Sequence, residues 1–109
     1  MNDENLSMAT VANALIACHA RGADDRTMLA MCERLLTVTE RELLERERRM
    51  MASGDPDLAT HVRRHADVLL VLGRQVRDSR RTPAPVPMGF IRFVGSMLER
   101  MRTVTSEAA

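Results

Sequence analysis

Residues Met28–Met51, MLAMCERLLTVTERELLERERRMM, form the longest uninterrupted helical pattern in this chain. Leu29, Leu36, Leu43 and Met50 recur every seven residues, and Met28, Cys32, Leu35 and Leu44 widen the stripe. At 100° per residue such positions share one face of an α-helix. The first half is apolar around most of its girth, whereas residues 40–49, ERELLERERR, hold eight charges and two leucines. Thr39 and Arg46 interrupt the heptad where a coiled-coil seam needs apolar residues. The apolar half therefore reads as packed core and the charged half as a solvated strut. Arg41–Glu45, Glu42–Arg46 and Glu45–Arg49 stand four apart, each pair worth roughly 0.2–0.5 kcal/mol on an exposed helix.

With 109 residues the chain has the size of a single domain. Two phenylalanines are its only aromatics, so the core must be assembled from Leu, Val, Ala and nine methionines, a palette that suits helix packing. No Asn-Gly or Asp-Gly pair lies between alternating apolar runs, so hairpins of strands are not expected. The fold class is all-α.

Four helices are expected. The first spans 5–20, capped by Asp3, Asn5 or Ser7 and closed by Gly22 in the left-handed region. The second spans 25–52. Ser53-Gly54-Asp55-Pro56 is the strongest punctuation in the chain: Gly54 suits the end of one helix, Asp55 the cap of the next and Pro56 its first turn. The third helix spans 56–79, with Leu58, Val62, Leu69, Leu72 and Val76 on one arc and His65 and Ala66 beside them. Leu70 and Val71 fall on opposite flanks, making this turn apolar around most of its girth. Residues 82–87, TPAPVP, favour an extended, semi-rigid spacer. The fourth helix spans 88–104, with Phe90, Val94, Met97, Met101 and Val104 in 4-3-4-3 spacing and Ile91, Phe93 and Leu98 broadening the stripe. The architecture is an antiparallel bundle of three helices (1–82) plus a proline-tethered C-terminal helix (83–109), completed as a homodimer.

Several function classes find little support. No nucleophile motif or glycine-rich phosphate loop is present, and the reading is non-enzymatic. Gly73, Gly89 and Gly95 are read as permitting close helix approach. Cys18 and Cys32 form no CxxC and behave as small hydrophobes. The N-terminus MNDENLS has no basic region ahead of an apolar stretch, and the longest apolar run, VLLVL at 68–72, is far below the ~18 residues of a membrane span. A cytoplasmic protein is expected. All sixteen basic residues are arginine, offset by fifteen acids.

Three candidate sites remain. His61 and His65, in HVRRH, stand one helical turn apart, a spacing that metal ligands use, but the glutamate of HExxH is missing and two arginines intervene. A structural metal-binding bundle is the reading they support; no cofactor is otherwise expected. Arg63, Arg64, Arg74, Arg77, Arg80 and Arg81 face only two aspartates within 58–82 and suit phosphate contacts, the reading of a small nucleic-acid-associated protein, although no aromatic lies among them for base stacking. The third candidate is a protein interface formed by Phe90, Ile91, Phe93, Val94, Met97, Leu98 and Met101 with Leu70 and Val71, apolar anchors at helical spacing.

In size, compact all-helical build and arginine-rich usage the chain resembles the small antiactivators of Gram-negative quorum sensing. That resemblance is of profile across most of the chain and assigns no residue a role. It implies a regulator that sequesters a LuxR-type transcription factor and blocks its dimerisation or DNA binding.

Overall fold

The computed structural model describes residues 6–82 and 84–108, with side chains as far as Arg100. These residues form four helices and no strand: α1 (Met8–Ala20), α2 (Asp25–Ser53), α3 (Leu58–Arg81) and α4 (Met88–Ala108). Ser7 caps α1, its hydroxyl accepting from the Thr10 amide at 3.0 Å. The proposed caps Asp3 and Asn5 lie outside the described residues. Gly22, at φ 74°, closes the helix: its amide donates to His19 and that of Ala23 to Cys18, both at 3.0 Å. Asp24 caps α2 through the Thr27 amide at 2.8 Å, which holds its carboxyl below the usual range.

Gly54, at φ 68°, ends α2, and the Asp55 amide returns to the Met50 carbonyl at 2.9 Å. The third helix begins at Leu58 rather than Pro56, because the Asp55 carboxylate accepts from the Asp57 amide and builds a separate turn first.

At 29 residues α2 is about 43 Å long, which accounts for the molecule's 44 Å long dimension. It packs against both α1 and α3, and α1 also packs against α4. Glu33 meets Arg80 at 2.6 Å and Glu47 meets His65, so α2 and α3 run in opposite directions along each other. Arg41 donates to the Leu6 carbonyl at 2.7 Å. That bond ties the chain ahead of α1 to α2 and uses a guanidinium expected to pair with Glu45.

The core draws on every helix: Met8, Val11, Ala12 and Leu15 of α1; Met28, Cys32, Leu35 and Val38 of α2; Leu72 and Val76 of α3; and Phe90, Ile91, Val94, Met97 and Leu98 of α4. Each fully buried Leu, Val, Phe or Met side chain contributes about 1.5–3 kcal/mol. Val86, between the prolines, is buried with them.

The third helix adds the fewest core residues. The expected stripe is only partly covered, for Val62 is 45% exposed and Leu58 and Leu69 are half-buried. Leu44, read as part of the α2 stripe, is also 45% exposed. The helical glycines differ from expectation as well: a Cβ at Gly73, Gly89 or Gly95 would meet nothing within 4 Å, so none marks a close approach.

Candidate functional site

The charged half of α2 places one side chain against α3 that has a specific partner. Glu47 lies four residues after buried Leu43 and three before buried Met50, which turns its carboxylate inward. Its Oε1 receives Nδ1 of His65, and Nε2 of His65 meets Nδ1 of His61 at 3.0 Å. A carboxylate only accepts, so in the neutral pair both histidines carry their proton on Nδ1. The chain then reads His61 to His65 to Glu47, with Nε2 of His61 left as an acceptor at its outer end. The two rings meet edge to face with centroids 5.0 Å apart. His65 is buried and His61 half-buried.

Burial holds the His61 pKa below its ordinary value, and repulsion from His65, Arg46 and Arg64 adds to the effect, while Asp55 opposes it. The metal candidates His61 and His65 are thus brought together by bonding to one another. Among the described residues no group of three or more His, Cys, Asp or Glu is placed to hold a metal ion.

His61 and His65 form one wall of a pocket of about 750 Å³, its open mouth included. Met8, Leu43, Val68, Phe93 and Met97 supply the apolar lining, drawn from all four helices. Arg46, Arg64 and Arg100 supply the charge, and Ser96 a hydroxyl. No carboxylate lines it, and none of the three arginines has an acidic partner among the described residues. Sequence reasoning passed over this constellation. Glu47 and Arg46 lie in the stretch that reads as a solvated strut, and the apolar pattern of α4 gives Arg100 no part. The available signal was the placement of Glu47 between Leu43 and Met50.

The residues expected at a protein interface divide into groups. Phe90, Ile91, Val94, Met97 and Leu98 are buried in the core of their own chain, where α4 covers α1. While α4 holds that position they present little surface to a partner. The side chain of Met101 lies outside the described residues. Phe93 and Val71 are half-buried, and Leu70 is 55% exposed. Val71, Phe90 and Phe93 line one groove of about 510 Å³ between α3 and the start of α4, rimmed by Arg74, Gln75 and Asp78. Phe93 lines both this groove and the histidine pocket.

The six arginines of α3 are all exposed, and Arg80 is paired with Glu33. Both cysteines are free thiols; burial pushes the Cys32 pKa up to about 11, with a smaller contribution from Glu33. Among the described residues no helix is long and apolar enough to cross a membrane. Comparison with known proteins returns no matching family model, no matching curated protein and no matching solved structure.

Proposed function

We propose that this chain is a non-enzymatic regulatory protein that binds and inhibits another protein through an apolar helical surface. The observation that carries this reading is the groove in which Val71 of α3 meets Phe90 and Phe93 of α4. Grooves between helices accept the apolar face of an incoming amphipathic helix, whose side chains anchor at successive turns. Phe93, one of the chain's two phenylalanines, is only half-buried, and an aromatic side chain supplies a large contact area at low entropic cost. The rim offers a guanidinium, an amide and a carboxylate to fix the orientation of what binds.

The resemblance to quorum-sensing antiactivators supports a LuxR-type transcription factor in the cytoplasm as the target. The mechanism is competition, in which the groove covers a helix that the target needs for its own association. The free protein is a homodimer through the same groove, and the target displaces the second copy.

Val71→Asp and Phe93→Ser alter the groove without removing a fully buried side chain. Light scattering of the free protein should give twice the 12.2 kDa chain mass, and both variants should return it to the chain mass. A purified LuxR-type factor should lose DNA binding when the wild-type protein is added and keep it when the variants are added. A free protein at chain mass would remove the homodimer. A factor unaffected by the wild type would remove the target, and variants that inhibit as well as wild type would remove the groove.

A further inference from the structure

We propose that the pocket between His61 and Phe93 binds a small amphipathic anion, a carboxylate carried on an apolar tail. Three positive side chains, Arg46, Arg64 and Arg100, line a pocket otherwise walled largely by apolar residues, and among the described residues no carboxylate lines it with them. Glu47, the acid nearest in structure to the histidines, is occupied by His65. The ion pair of Glu33 with Arg80 lies toward the opposite end of the α2–α3 hairpin. Guanidiniums clustered without counter-charge repel one another, and one anion shared among them relieves that repulsion. Arginine's planar fork also matches the two oxygens of a carboxylate.

The apolar wall selects the rest of the ligand. Leu43, Val68, Phe93 and Met97 would cover a tail. Methionine's unbranched, polarizable side chain adapts to tails of different shape. A bare inorganic anion would meet the arginines but leave this wall wet, and a neutral hydrocarbon would leave the arginines unpaired. The site fits a molecule with both parts.

His61 supplies an internal reporter. Its pKa is held low by burial and then by repulsion from His65, Arg46 and Arg64, with Asp55 acting in the opposite sense. A carboxylate bound among the arginines adds a negative charge near the ring and raises that pKa. This inference does not rest on the protein-binding groove and stands or falls separately.

The test uses decanoate, below the concentration at which it forms micelles, titrated into the 109-residue chain by calorimetry. Decanol and acetate serve as comparison ligands. Decanoate should bind saturably at one site per chain, at least tenfold more tightly than either, and more weakly as salt rises. Arg64→Gln with Arg100→Gln changes two exposed side chains; it should weaken decanoate binding at least tenfold while circular dichroism stays unchanged. Decanoate, but not decanol, should move the His61 titration midpoint upward in NMR spectra. Equal binding of decanol and decanoate would show a merely apolar cleft and overturn the proposal. Saturable binding untouched by the double substitution would place the anion elsewhere, and the absence of saturable binding would remove the site.

Discussion

The carboxylate of Glu47 on α2 meets Nδ1 of His65 on α3, and through that ring it also orients His61, one turn earlier on the same helix. A residue inside a run of eight charges thereby acts as a structural tie between two helices. Removing the carboxylate leaves the buried Nδ1–H of His65 without its acceptor. Glu47→Ala should cost about 1–3 kcal/mol in urea unfolding. Glu47→Gln keeps an acceptor oxygen and should cost less. Equal losses in the two variants would mean that packing, not the hydrogen bond, is what Glu47 contributes.

Acidification should weaken the same region. The His61 pKa is depressed below its ordinary 6.5 in the folded chain, so the unfolded chain binds the proton more readily. Its stabilising contribution is fully present above pH 6.5 and is lost as pH falls through the folded-state value. Urea midpoints taken between pH 7.5 and pH 5 should fall, and His61→Asn should flatten that slope. Comparison of the two slopes removes the background from other titrating groups.

Thr39 is fully buried, and its hydroxyl has no hydrogen-bond partner among the described residues. Valine has nearly the same shape and no polar atom to desolvate. Thr39→Val should stabilise the fold by about 1 kcal/mol, or about 4 °C in Tm. A loss of stability would show that the hydroxyl is satisfied in solution, for instance by an internal water.

Gly54 and Gly73 should respond in opposite directions to alanine. Both have open space where a Cβ would go, so the backbone decides. Gly54 sits at φ 68°, where an L-residue is strained by about 1–2 kcal/mol. Gly73 lies within α3, where alanine is favoured by about 0.8–1.0 kcal/mol. Gly54→Ala should therefore lower the thermal midpoint and Gly73→Ala should raise it.

The helices were legible because their signals are local. Gly22 and Gly54 punctuate the chain by backbone chemistry that needs no tertiary information, and the observed ends of α1 and α2 follow them. Pro56 misled by two residues because the Asp55 side chain closed a turn of its own first. Long-range relations were harder to read. The apolar periodicity of α4 is the same whether the helix covers its own core or a partner's. The stripe on α3 gave no sign that Val62 would stay 45% exposed. The histidine pocket was the least legible feature. Its arginines come from three helices, and single-helix patterning assigns each of them to solvent.

The burial of Phe90 fixes how the function of α4 must be examined. Phe90 is 6% exposed and Val94 is fully buried, so both belong to the core that joins α4 to α1. Phe90→Ala should cost about 3–5 kcal/mol. Phe90→Asp should cost more, because an unpaired carboxylate would be placed in an apolar interior. Any loss of partner binding in these variants would follow from loss of the fold. Leu70→Asp, on an exposed side chain of α3, should leave the unfolding midpoint within about 0.5 kcal/mol of wild type. Urea unfolding of the three variants separates the two positions. If Phe90→Ala unfolded at the wild-type midpoint, α4 would not be held against α1 in solution, and its apolar face would be free for exchange between chains.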